Sequence, residues 1–177
     1  MKQSNAVHIL SEMALQGRNV YALRDLSKLF PDDNERNLKA GVHRLVQSGI
    51  LVRAVKGVYV YTLTESKADI LEQIAKTMRR GEYSYVSLES ALSEYGMISQ
   101  IPIDRLTIIT TGRKGTYKTP YGVIEFTHTA RPIRVLQQSM IDVGRPLRLA
   151  TKEAAYRDLK RAGRNMHLVD ETLLYEN

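Results

Sequence analysis

Apolar positions recur with helical spacing along the first third of the chain, then switch to a strand-like run. Ala6, Ile9, Leu10 and Met13 make one stripe, which predicts a first helix capped by Ser4 or Asn5 and ended by Gly17. Leu23, Leu26, Leu29 and Phe30 predict a second helix over residues 22–30, which Pro31 cannot continue. Leu38, Val42, Leu45 and Val46 fall at i, i+4, i+7 and i+8, the buried stripe of a third helix. Asp32 and Glu35 have capping-box spacing at its start, and Gly49 suits the left-handed position past its end. Residues 50–54 and 58–62 are then β-branched and apolar on either side of Val55-Lys56-Gly57, the pattern of a short hairpin.

Beyond Thr64 the pattern is mixed. Ala68, Leu71, Ile74, Ala75 and Met78 predict a connecting helix over residues 65–80, closed by Gly81. Leu88, Ala91, Leu92 and Tyr95 predict another, with Ser87 as its cap and Gly96 as its stop. Residues 105–111 are rich in Ile and Thr, a buried strand by composition. Residues 116–119 and 123–129 flank Pro120-Tyr121-Gly122, the signature of a second hairpin. Residues 133–138 and 146–150 read as further strands. Residues 152–162 form a last helix with Ala155, Leu159 and Ala162 inward and a basic outer face of Lys152, Arg157, Lys160 and Arg161. The expected fold class is α+β: an N-terminal domain over residues 1–64 and a mixed α/β domain over 65–177.

Charge sharpens the picture at the ends. The chain carries 26 Lys and Arg against 19 Asp and Glu. The excess lies in residues 1–62 (nine against five) and 131–177 (nine against six), while the middle is balanced. No acid occurs between Arg36 and Thr64, where Arg36, Lys39, Arg44, Arg53 and Lys56 all lie. A basic helix joined to a basic hairpin, after two other helices, is the sequence form of a winged helix-turn-helix, whose second helix enters the major groove. The polar face of that helix is Arg36, Asn37, Lys39, Ala40, His43, Arg44 and Gln47. Arg pairs bidentately with guanine, and Asn and Gln do so with adenine. Arg53 and Lys56 on the hairpin suit phosphate.

Other chemistries find little support. The absence of cysteine excludes disulfides, thiolate catalysis and cysteine-based zinc sites. His8, His43, His128 and His167 lack metal-motif spacing, and Glu125 and His128 point to opposite faces of one strand. Ser87, Glu89 and Glu94 are explained by a cap and a solvated helix face rather than as a nucleophile with carboxylates. Gly112-Arg113-Lys114-Gly115 lacks P-loop spacing. Tyr59 and Tyr61 can stack on bases, but at strand positions tyrosine more often covers a sheet. No apolar run reaches bilayer length and no signal peptide is expected. The reading is therefore of a cytoplasmic, non-enzymatic protein with no metal or cofactor. Its partner is double-stranded DNA or, alternatively, protein or RNA bound by the same helix and hairpin.

The second half adds a resemblance. The run YVSLESALSEYGMI followed by LTIITTGRKGTYKTPYGVIEFTH is similar to the AbiEi antitoxin family of bacterial abortive-infection toxin–antitoxin systems. The matching positions are Ser87, Leu88, Glu89, Ala91, Leu92, Gly96, Thr111, Arg113, Thr119, Pro120, Gly122, Phe126 and His128, and then Ala150-Thr151 with Glu153 and Ala155. The similarity spans roughly residues 5–165. The last helix here is richer in Arg and Lys, and the chain ends sooner after it than in many members. The resemblance implies a winged-helix domain that represses its own operon at inverted repeats. It also implies an α/β domain that counteracts a cognate nucleotidyltransferase-like toxin, in several members without a stable complex.

Overall fold

The computed structural model describes residues 1–64, 68–99 and 104–176. These residues form seven α-helices and nine strands, an α+β fold, in two compact units, Met1–Ile70 and Leu71–Asn177. The expected start of the connecting helix, at residues 65–67, lies outside the described residues, and the helix seen there is Ile70–Met78. No described helix is long and apolar enough to cross a membrane.

The first unit runs α1 (Gln3–Leu15), β1 (Val20–Ala22), α2 (Leu23–Leu29), α3 (Glu35–Gln47), β2 (Leu51–Val55) and β3 (Val58–Tyr61). Its three strands form an antiparallel sheet in the order β1-β3-β2. The predicted stripes meet in one core, in which Leu10, Leu26, Leu38, Val42 and Leu45 surround Tyr21 and Tyr61. Full burial of each such side chain contributes about 1.5–3 kcal/mol. Burial raises the Tyr21 phenol to about 12, so it stays protonated and donates to the carbonyl of Arg18.

Four local expectations need correction. Helix α1 begins at Gln3 after Lys2, with no side-chain cap, so neither Ser4 nor Asn5 caps it. Ala22 belongs to a strand: β1 pairs along β3 from Val20 opposite Val60 to Ala22 opposite Val58. Helix α3 is capped by Asn34 and not by Asp32, because the Asn34 side chain accepts from the Asn37 amide at 2.9 Å. Finally, Val55, expected in the turn, ends β2 opposite Val58, because a bulge between Arg53 and Val55 lets the strand run on.

The second unit is built on a six-stranded sheet in the order β6-β7-β5-β4-β9-β8. The strands are β4 (Ser84–Val86), β5 (Arg105–Thr110), β6 (Gly115–Thr119), β7 (Gly122–His128), β8 (Met140–Ile141) and β9 (Arg148–Ala150). Pairs β5–β7 and β4–β9 are parallel, and the rest are antiparallel. Helices α4 (Ile70–Met78), α5 (Leu88–Glu94), α6 (Ile133–Gln138) and α7 (Lys152–Ala162) complete it, with two 3-10 turns, Met166–Leu168 and Glu171–Tyr175, after α7. Residues 133–138 are thus a helix and not a strand. Pro132 sits at its N-cap with φ −56°, a dihedral already set for helix entry.

Buried charge braces this unit. Asp158 of α7 is 3% exposed. One of its oxygens takes Arg131 at 2.5 Å, and the other accepts from Ser87 at 2.8 Å and Tyr85 at 3.1 Å. Burial, then the Asp158 charge, raise the Tyr85 phenol. Ser87 therefore occupies the cap position of α5 but spends its hydroxyl on Asp158. Glu89 is buried as well, which overturns the solvated-face reading: it binds Arg164 at 2.8 and 3.1 Å and Asn165 at 2.9 Å. Arg164 also meets Glu125, which pairs with Arg105. Glu94 is half-exposed and paired with Arg145 at 2.9 Å, and Arg145 lies 3.2 Å from Glu72. Between Ser87 and Glu89, Leu88 is fully buried with φ +57°, a left-handed conformation that costs a non-glycine residue roughly 1–2 kcal/mol.

The Glu89 cluster sets a pH response. Burial alone pushes this carboxyl up, but hydrogen bonds from Arg164, its own backbone amide and Asn165 outweigh burial and hold it below the ordinary range. A depressed folded-state value gives stabilisation that is complete above the unfolded value, near about 4.5, and is lost as pH falls through the folded value. Urea denaturation between about pH 6 and 3 is expected to show the wild-type advantage over Glu89→Gln shrinking as acid is added. A constant difference across that window would contradict this origin of the stability.

Candidate nucleic-acid interface

The third helix presents two unlike faces because its apolar residues keep strict helical spacing. Leu38, Val42 and Leu45 are buried, and Val46 packs against the same core. Arg36, Ala40, His43 and Gln47 recur at i, i+4, i+7 and i+11 on the opposite side, and all four are exposed. Asn37 and Arg44, spaced by seven, lie together on one flank of that stripe, and Lys39 lies on the other. All nine residues predicted to contact DNA, including Arg53 and Lys56 on the hairpin, are exposed.

The hairpin is fixed to the helices by backbone hydrogen bonds. The Ile50 amide donates to the carbonyl of Leu45 at 3.0 Å, carrying the end of α3 into β2. Gly49 supplies the left-handed turn, at φ +74°, that lets the chain reverse there. At the other end the Leu23 amide donates to the carbonyl of Gly57 at 3.1 Å, so the turn that carries Lys56 is attached to the start of α2. Tyr61 is a core residue, its hydroxyl 2.7 Å from that of Ser11, and does not face solvent. Tyr59 is half-buried against the same core. The hairpin tyrosines thus cover the sheet.

The acids of this unit are mostly engaged elsewhere. Asp25 is buried, Glu12 lies beside His8, Asp33 holds the Met1 amino group at 2.8 Å, and Glu35 pairs with Lys39 at 2.5 Å. The hydrogen bond from Lys39, then its charge, hold the Glu35 carboxyl below the usual range. Lys39 is therefore already partnered, although an exposed pair of this kind is weak. Arg44 is also oriented: its guanidinium donates to the Met1 carbonyl at 3.3 Å. Gly41 gives room for this, since a Cβ there would meet the Met1 side chain at 2.5 Å. Neither the Asn34 cap nor the Met1 contact was foreseen. The first has a sequence signal, an Asn three residues before an exposed helical amide, which overlaps the Asp32-to-Glu35 spacing.

The basic face expected on α7 is partly consumed by the fold. Lys152 donates to the carbonyls of Leu173 and Glu176 at 2.8 and 2.5 Å. Arg157 donates to the Ser139 hydroxyl at 3.0 Å. Lys160 and Arg161 remain exposed. Ala162, expected inward, is exposed too, and Asp158 takes the buried position instead. Among the described residues, no three His, Cys, Asp or Glu side chains group as a metal site would require.

No family model and no curated protein matches the chain. Among solved structures it is similar to the crystal structure of RV2827C protein from Mycobacterium tuberculosis, with a TM-score of 0.52 at 18% identity. The match covers 88% of this chain and 60% of that one, so the chain spans about three-fifths of that protein's length. At this identity the likeness is one of fold.

The cap assignment has a direct check. Asn34→Ala removes the side-chain acceptor for the Asn37 amide and is expected to cost about 1 kcal/mol in urea denaturation. Asp32→Ala is expected to change stability by less than about 0.5 kcal/mol. The reverse order of effects would restore Asp32 as the cap.

Proposed function

We propose that the first unit is a winged helix-turn-helix that binds duplex DNA, with α3 in the major groove and the β2–β3 turn against the backbone. The observation that carries this reading is the surface itself. Arg36, Asn37, Ala40, His43, Arg44 and Gln47 stand exposed on a helix joined to a hairpin bearing Arg53 and Lys56. Among the described acids of this unit, Asp32 and Asp69 are exposed without a partner, and Asp69 lies outside the helices and hairpin of residues 1–64. A face of that chemistry attracts phosphate and offers Arg, Asn and Gln groups of the kind that read base edges. Together with the AbiEi resemblance, it supports an autoregulatory repressor acting at inverted repeats and an antitoxin counteracting a nucleotidyltransferase-like toxin, the second role belonging to the second unit.

The DNA reading makes a quantitative demand. The logarithm of affinity for duplex is expected to fall with the logarithm of salt by about 0.9 for each phosphate neutralised. Arg44→Ala is expected to weaken a selected sequence more than a scrambled one, by about 1–3 kcal/mol, whereas Lys56→Ala weakens both equally. Fluorescence anisotropy on the two duplexes checks this. A salt-independent affinity, or preference for single-stranded RNA, would reject the duplex reading.

The antitoxin role is tested separately. With expression driven from an unrelated promoter, Arg44→Ala and Lys56→Ala chains are expected to protect cells under induction of a cognate nucleotidyltransferase-like toxin. Survival counts, with circular dichroism as the folding control, provide the measurement. Loss of protection in folded variants would make DNA binding part of neutralisation itself.

A further inference from the structure

Helix α2 carries charge that neither the core nor the α3 face explains. Arg24, Ser27 and Lys28 are all exposed and fall at i, i+3 and i+4, one face of the helix. The acid between them is turned away: Asp25 is 6% exposed and its carboxylate accepts from the Ala22 amide at 2.8 Å. No ion pair or side-chain hydrogen bond of Arg24 or Lys28 occurs among the described residues. Two like charges four residues apart repel along a helix.

Their position relative to the hairpin gives the pair a direction. The Leu23 amide is bonded to the Gly57 carbonyl, and Ala22 is paired with Val58. Arg24 therefore lies in the first turn of α2, next to the turn that displays Lys56, and Lys28 lies one helical turn further on. About 6 Å of helix rise separates the two α2 residues, and a DNA strand presents a phosphate every 3.4 Å or so of axis. Two cations at that spacing are far enough apart to face separate phosphates. In helix-turn-helix docking the first helix of the pair crosses the backbone while the second lies in the groove.

We propose that Arg24 and Lys28 form a cationic rail, continuous with Lys56, that grips the phosphodiester backbone beside the groove occupied by α3. The inference rests on the duplex reading given above and adds to it a phosphate contact on a different element. Arg24 and Lys28 position the protein and carry no sequence information, because phosphate oxygens are the same at every step.

The test uses the full chain and two probes: a duplex of roughly three helical turns, selected by the wild-type protein from a random pool, and a scrambled duplex of equal composition. Affinity is measured across a salt series for wild type, for Arg24→Gln with Lys28→Gln, and for the charge-retaining Arg24→Lys with Lys28→Arg. The double Gln variant is expected to lose about 1.8 from the salt slope, two phosphates at about 0.9 each, with equal fold-losses on both duplexes. The charge-retaining variant is expected to keep the wild-type slope. Circular dichroism and the single Lys28→Gln variant, with half the slope change, guard against a folding effect. An unchanged slope in a wild type that binds duplex overturns the rail and leaves the α3 reading standing. A loss confined to the selected duplex overturns it in favour of base contact. Failure of wild type to bind either duplex removes the underlying reading and the rail with it.

Discussion

A ladder of three residues holds the first unit in its working shape. Strand β1 adds to β3 over Val20–Ala22, and the Tyr61 amide continues the attachment to the Asn19 carbonyl at 2.8 Å. An isolated two-stranded hairpin is marginal in water. With β1 in place the hairpin becomes the middle and edge of a sheet whose third strand runs directly into α2. The turn bearing Lys56, the start of α2 and the end of α3 are then fixed through backbone hydrogen bonds, whose donors and acceptors are left in place by substitutions other than proline. Exposed polar residues can vary on such a frame without moving it.

The second unit solves a different problem. Its helices are attached to the sheet through charges taken out of water, where an ion pair is costly unless every partner is satisfied. Asp158 has three hydrogen-bonding partners with Arg157 a further 3.6 Å ion-pair neighbour, and Glu89 has two residues donating three hydrogen bonds. Such clusters contribute little net stability but tolerate no half-formed version, so they select one arrangement of α5, α7 and the sheet. Several of the residues that carry the AbiEi resemblance have structural work of this kind. Ser87 and Glu89 bind α7 and the segment after it. The Thr119 hydroxyl donates to the Gly122 carbonyl at 2.8 Å, and His128 Nδ1 lies 2.8 Å from the carbonyl of Gly112. Gly122 is required by proximity as well as by φ +137°, since a Cβ there would stand 2.3 Å from the Asp104 carbonyl oxygen. Motifs of this kind report how the second unit is held together.

Sequence periodicity was a sound guide where a side chain's fate depends on its own neighbours. The stripes of α1, α2 and α3, the hairpin after Gly49 and the strands around residues 105–128 are local patterns. So is the face of α3, because burying Leu38, Val42 and Leu45 leaves Arg36, Ala40, His43 and Gln47 no other side. Three features were hidden for identifiable reasons. Strand β1 has only three residues, too few for a period to register, and its pairing partner lies some forty residues away. In 133–138, Ile, Val and Leu suggested a strand, yet only Leu136 is buried and the preceding Pro132 sets helix entry. Asp158 and Glu89 look like surface acids until Arg131 and Arg164 arrive from distant parts of the chain. Burial of charge is a property of the assembled fold and leaves no local mark.

One margin of the larger sheet bears on how these molecules behave when crowded. Strand β6 is outermost, so one side of its backbone has no strand neighbour among the described residues, and Thr116 and Lys118 stand exposed along it. An open edge is a template on which another chain can crystallise out as a growing ribbon, and a lysine placed there is a common protection. Any newcomer stacking onto β6 would have to dehydrate the Lys118 ammonium. Lys118 thereby closes a route to insoluble fibres.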